Sequence, residues 1–247
     1  IAWTLQRKLN ESKDWEEAKK MQTKEKQPGV FASFGTLFTN KVNIRTMLFL
    51  AGIYISWNMV ASVMGFFQQH IYETAGGLSN GEANMISAVQ WIVIIAVTYF
   101  GFAMLVDKVS QRWLYVFGTS IGIVAWGILI FIGIKNHVAL WTFTILWGIH
   151  AGISVQAFYA LWASELFPAK YRAAAQGIMF FAVRSVAAVW GLGFVHIYGE
   201  NGEGFYTAAY IMIGLLLVAL IIGTIWTPKT QGKSLQQITK ERYGEDI

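Results

Sequence analysis

Leu161-Trp-Ala-Ser-Glu-Leu-Phe-Pro-Ala-Lys-Tyr-Arg172 joins two long apolar runs, and its only charges are Glu165, Lys170 and Arg172. Pro168 has no N–H to donate and disfavours a helical conformation at Phe167, so the first run must end there. Taken alone, the join is a solvated turn in which Glu165 and Arg172 could pair, a contact worth about 0–1 kcal/mol at an exposed site. Its setting suggests more. A second charged join, Asp107-Lys-Val-Ser-Gln-Arg112, lies between two other apolar runs, and charges gathered at one end of a bundle can act as a latch.

Working outward from that turn, six apolar segments are expected near Met47–Gln69, Ile86–Val106, Trp113–Ile134, Val138–Ser164, Ala174–Tyr198 and Tyr206–Trp226. Each is long enough for a hydrocarbon core about 30 Å thick, which takes roughly 20 residues at 1.5 Å apiece. None has the polar face that a helix in a soluble bundle needs. The composition agrees: 13% of the residues are charged and 55% hydrophobic, against about a quarter charged in a soluble domain. The expected fold is an all-α membrane protein, a bundle of six transmembrane helices in a lipid bilayer.

The basic residues fix an expected orientation. Of 19 Lys and Arg, nine precede Thr46, two lie in the join at 107–112, two in the join at 165–172 and four after Trp226. The joins on the other side hold only Lys135, and Arg184 lies within a span. Cytoplasmic loops carry the excess of Lys and Arg, so both ends of the chain are expected in the cytoplasm. Residues 1–45 then form a cytoplasmic linker, partly helical, with Glu16 and Lys20 one turn apart and a break at Pro28-Gly29; 46–227 hold the six helices and 228–247 a cytoplasmic tail. Residue 1 is Ile and no signal-peptide pattern precedes Thr46, which suggests a chain that starts inside a longer protein. Cysteine is absent, so no disulfide framework or thiolate metal site is expected, and no basic groove interleaved with aromatics points to nucleic acid.

Within the spans, Gly118-x-x-x-Gly122 and Gly148-x-x-x-Gly152 read as close helix packing. Trp113, Trp141 and Trp226 fall at span ends, where amphipathic rings favour the interface. Arg184 is the sharpest polar feature, because a cation at that depth costs about 2.5–3.5 kcal/mol on insertion scales. No acid is expected near the middle of any span. Arg184 therefore either clamps an anionic or strongly hydrogen-bonding solute, or is structural, meeting another helix or snorkelling to the surface. Asn58 and Ser62, four apart on one helix face, join Gln156, His150 and Tyr159 as further candidates for a solute site. For His150 the competing reading is a ring that satisfies a neighbouring carbonyl, and for Tyr159 a gate aromatic.

Four local patterns carry a resemblance. Asp107-Lys-Val-Ser-Gln-Arg112 is similar to a D-[RK]-x-G-[RK]-R loop, with Ser110 and Gln111 departing from it. Ser164-Glu-Leu-Phe-Pro-x-x-x-Arg172 matches S-E-x-F-P-x-x-x-R at every fixed position. Pro228-Lys-Thr-Gln-Gly232 resembles P-E-[ST]-K-G, with Lys229 and Gln231 departing, and Ser33-Phe-Gly-Thr-Leu-Phe38 resembles a helix entry. Together they resemble the C-terminal half, helices seven to twelve, of a sugar porter of the major facilitator superfamily.

The resemblance implies one half of a major facilitator fold, with an N-terminal six-helix half preceding it, and alternating-access transport of a sugar, polyol or related small polar solute across the cell membrane. It also implies a cytoplasmic gate at Asp107, Arg112, Glu165 and Arg172. The family's Q-Q-x-x-G-x-N sugar motif is replaced by Ser56-Trp-Asn-Met-Val-Ala-Ser62, and Ala160 and Arg184 stand where the family often has Trp. An anionic sugar acid or other organic anion is the alternative cargo, and a non-transporting membrane sensor the alternative role. Proton symport and uniport both stay open. The four His are scattered and no H-E-x-x-H occurs, so neither an enzyme nor a cofactor is expected.

Overall fold

The computed structural model describes Gly35 and residues 37–244, all of whose regular elements are helical. The Glu16–Lys20 pair and most of the expected linker lie outside the described residues. Nine helices follow within them: α1 (Lys41–Phe66), α2 (Gln68–Thr74), α3 (Asn80–Ala103), α4 (Gln111–Gly133), α5 (His137–Ile153), α6 (Val155–Glu165), α7 (Ala169–Tyr198), α8 (Phe205–Ile225) and α9 (Leu235–Tyr243). With α5 and α6 taken as one span, six are long and apolar enough to cross a membrane.

The spans start earlier than hydropathy alone suggests, because polar caps set the boundaries. Asn40 accepts a hydrogen bond from the Val42 N–H at 2.8 Å, so α1 opens at Lys41 rather than Met47. Ser79 and Glu82 form a reciprocal capping box that opens α3 at Asn80. Pro168, with φ −54°, stands at the entry to α7, so the join that decides the fold shrinks to Leu166–Pro168. Arg172 is then part of a helix rather than of a loop. The fourth span, expected to be continuous, is interrupted at Ser154, whose φ and ψ of −105° and −147° are not helical.

Packing follows a reciprocal scheme. α1 packs on α7 and α8, and α5 packs on α3 and α4, so the first helix of each three-span set meets the second and third of the other. α4 and α8 close the contact between the sets. The α1 span and the α5–α6 span are each 61% buried, whereas α3 and α7 are 11% and 22% buried, and this contrast marks the inner and outer helices. The outward faces carry Leu48, Ile92, Phe131, Phe181 and Leu192, apolar surface suited to lipid or to another helical face.

The glycine pairs are the seams of this bundle. A methyl group added at Gly118 would lie 2.7 Å from the Ile153 carbonyl oxygen, and one at Gly122 would lie 2.5 Å from His150 Nδ1. One at Gly148 would lie 2.7 Å from Val93, and one at Gly152 2.9 Å from Val97. The first pair thus seats α4 on α5 and the second seats α5 on α3, which is what small residues four apart allow.

Candidate functional site

The interruption at Ser154 turns the chain so that Gln156 and Ala160 reach the open face shared by α1, α6 and α7. There Tyr54 of α1, 1% exposed, donates its hydroxyl to Gln156 Oε1 at 3.2 Å. Its ring stacks on Tyr159 with centroids 4.0 Å apart and on Trp57 at 5.9 Å, pairs of a kind worth about 0.5–1.5 kcal/mol each beyond their burial. Arg184 of α7 is exposed, its guanidinium 4.8 Å from the centre of the Phe180 ring. No ion pair or hydrogen bond to Arg184 occurs among the described residues.

Two of the sequence candidates, Gln156 and Tyr159, therefore meet at Tyr54, which the sequence reading missed, and Arg184 stands exposed on α7, which packs against α1. The others are placed differently. His150 is fully buried, and both ring nitrogens are engaged: Trp57 Nε1 donates to Nε2 at 3.0 Å, so Nδ1 carries the proton and donates to the Gly118 carbonyl at 2.8 Å. Its geometry is that of a bolt through α1, α4 and α5, the carbonyl-satisfying alternative. Ser154 next to the helix break pairs with Thr119 at 3.1 Å. Ser62 bonds back to the Met59 carbonyl at 3.2 Å. Asn58, 3% exposed, buries its Oδ1 without a hydrogen bond.

The charged end is held together differently from the expected Glu165–Arg172 pair. No ion pair joins these two among the described residues; Arg172 donates instead to the Phe167 carbonyl, 3.3 Å away, through both Nε and Nη2. Placing Arg172 inside α7 aims it back at the chain it follows. Glu165 keeps a buried Oε2 without a partner.

The joint is made by neutral amides. Gln231 Nε2 faces the carbonyls of Val106, Asp107 and Val109 at 3.5, 3.2 and 2.9 Å, and its Oε1 accepts from the Gln111 N–H at 3.4 Å. Gln111 Oε1 accepts in turn from Trp162 Nε1 at 2.9 Å and from Thr230 at 3.4 Å. The segment after α8 is therefore docked rather than free. Helix α9 completes the contact: Tyr243 donates to Asn43 Oδ1 at 2.7 Å and to the Leu166 carbonyl at 3.2 Å, and Arg242 donates to Thr46. Burial pushes the Tyr243 phenol above its ordinary pKa, against the pull of Arg242, so it remains a donor.

Known proteins place this architecture. The model of the family described as "Sugar (and other) transporter" matches residues 3–241. The chain belongs to that family. Similar to this member is the minor myo-inositol transporter IolF of Bacillus subtilis (strain 168), 35% identical over 254 residues that cover 99% of this chain and 55% of the relative. A probable inorganic phosphate transporter 1-6 of Arabidopsis thaliana is 25% identical over 85% of this chain and 44% of its own length. The chain spans about half the length of these curated relatives. Gln111 and Gln231, which make the amide joint, occupy two of the positions where this member departs from the family loops. Those departures were the signal for the joint. Tyr54 carried a signal of its own, one turn before Asn58 on the same helix face.

Proposed function

We propose that this multi-pass membrane protein carries a small polyhydroxylated solute, a sugar or polyol, across the cell membrane by alternating access, and that it does so as the C-terminal six-helix half of a major facilitator transporter. The observation that carries the proposal is the contact of Tyr54 with Gln156 and Tyr159 beside an interrupted helix, with Arg184 exposed on the adjoining α7. Broken helices at mid-depth and paired three-helix sets are features of secondary transporters, whose halves rock about a central site. The IolF relative, named as a transporter of a cyclic polyol, supports the solute class and a role other than catalysis. In this reading a second six-helix half faces the cluster, residues 1–45 link the two halves, and 228–247 form a cytoplasmic segment.

Asn58, Ser62 and His150 would support the site from behind, with Asn58 Oδ1 buried and unpartnered there. The end that carries Asp107, Arg112, Glu165 and Arg172 would be cytoplasmic, as the basic residues gathered there favour. The unpartnered oxygen of Glu165 would find a donor in the other half when the inner side is closed. Such a contact biases the cycle only if it differs between the two states. The test is uptake and counterflow by the whole transporter in proteoliposomes. A Glu165→Ala protein should insert normally and lose most uptake; unchanged uptake removes the gate, and absence of counterflow for every sugar and polyol tried removes the transport reading.

A further inference from the structure

The open cluster is unbalanced in its hydrogen-bonding chemistry. Gln156 is exposed, and one lone pair of its amide oxygen is taken by the buried Tyr54 at 3.2 Å, an orientation that frees both amide N–H groups to donate to a ligand. Arg184 adds a guanidinium with no acceptor at all, and the Tyr159 hydroxyl can donate as well. Against these donors stands no carboxylate: α1 and α7 contain no Asp or Glu, and the only acid of α6 is Glu165 at its last residue. His150, the nearest buried titratable ring, has both nitrogens committed elsewhere. A neutral polyol supplies donors and acceptors in equal measure. A carboxylate supplies acceptors only, with a charge that Arg184 can match through its planar fork.

We propose that the site selects a polyhydroxylated carboxylate, a sugar acid, over its neutral parent, and that Tyr54 is a positioning residue which holds the Gln156 amide with its N–H groups outward. This rests on the transport reading above and narrows its substrate class. Arg184 binds the carboxylate, Gln156 donates to a carboxylate or ring oxygen, and Tyr159 packs beneath the ring. Tyr54 touches no solute and acts through Gln156. Without its hydroxyl the amide is free to turn its oxygen outward, which suits a hydroxyl and opposes a carboxylate.

The whole transporter, purified in detergent, is titrated by thermal shift with matched pairs: D-glucose and D-glucuronate, D-galactose and D-galacturonate, with myo-inositol and inorganic phosphate alongside. Within a responding pair the acid should half-saturate about tenfold lower than the neutral member, the factor that one charge-assisted hydrogen bond supplies. Arg184→Gln should abolish that preference by weakening the response to the acid about tenfold more than the response to the neutral member. Tyr54→Phe, which keeps the stacked ring, should cut the acid-to-neutral ratio several-fold, whereas a merely structural loss would lower both responses together. A neutral preference that is the same in Arg184→Gln overturns the carboxylate assignment and leaves the transport reading standing. A response to phosphate alone overturns it as well, in favour of a simpler oxyanion. No response to any of these compounds, with Gln156→Ala equally silent, overturns both.

Discussion

The two sides of helix α5 and its continuation α6 follow opposite rules. Toward α3 and α4 the contact is a glycine seam, where backbones approach closely and His150, Thr119 and Ser154 are paired, although the Trp126 indole N–H is buried there without a partner. Toward α1 and α7, Gln156 of this span and Arg184 of α7 lie exposed, and Asn58 of α1 buries an unpartnered oxygen. Unpaired polar groups are costly in a low-dielectric interior, and Gln156 and Arg184 escape that cost only because their face is exposed. The seam behaves as scaffold and the open face as a place for a ligand.

The contrast breaks most readily at the seam. Gly122→Ala places a methyl group against the His150 ring and should destabilise the detergent-solubilised protein by about 1–3 kcal/mol, as overpacking does. Gly177 of α7 has nothing within 4 Å of an added methyl, so Gly177→Ala should instead be neutral or stabilising by about 0.4–1 kcal/mol. Thermal unfolding of the pair measures both, and equal effects would erase the distinction between the two sides.

A second step removes the bolt. His150→Leu leaves the buried Trp57 N–H without an acceptor and should cost about 1–3 kcal/mol, with solute selectivity unchanged in whatever protein folds. At the charged end, Gln231→Ala removes an amide from four backbone groups and should cost about 0.5–1.5 kcal/mol, the net value of a typical hydrogen bond. Its effect should not change between low and high salt, because no ion pair is involved; a strong salt dependence would return the joint to the charges. Gln156→Ala removes the acceptor of the Tyr54 hydroxyl and should cost about 0.5–1.5 kcal/mol while weakening solute binding, which sharpens the contrast from the open side.

Much of this was legible in the chain itself. Apolar length gave the six spans, the basic residues a two-ended bundle, and the small-x-x-x-small pairs the places where helices meet, because each depends on local spacing alone. Span starts were less legible: Asn40 and Ser79 extend α1 and α3 beyond the apolar runs by capping, a side-chain effect that hydropathy does not register. The break at Ser154 had no Pro or Gly at that position to announce it. The site was half legible. Gln156, Tyr159 and Arg184 stood out as polar residues at depth, but Tyr54 reads as one more core aromatic until Gln156, 102 residues later, is brought to its hydroxyl. The charged join misled for a related reason, since Glu165 and Arg172 are near in sequence while Pro168 starts a helix that turns Arg172 back onto Phe167.

Tyr243 has an implication for biogenesis. Its bond to Asn43 spans 200 residues, so during synthesis the anchor point on α1 waits through the insertion of five further spans before its counterpart leaves the ribosome. The clasp therefore closes only after all six of these spans have emerged, and only when α1 and α8 have come to lie side by side can it fasten.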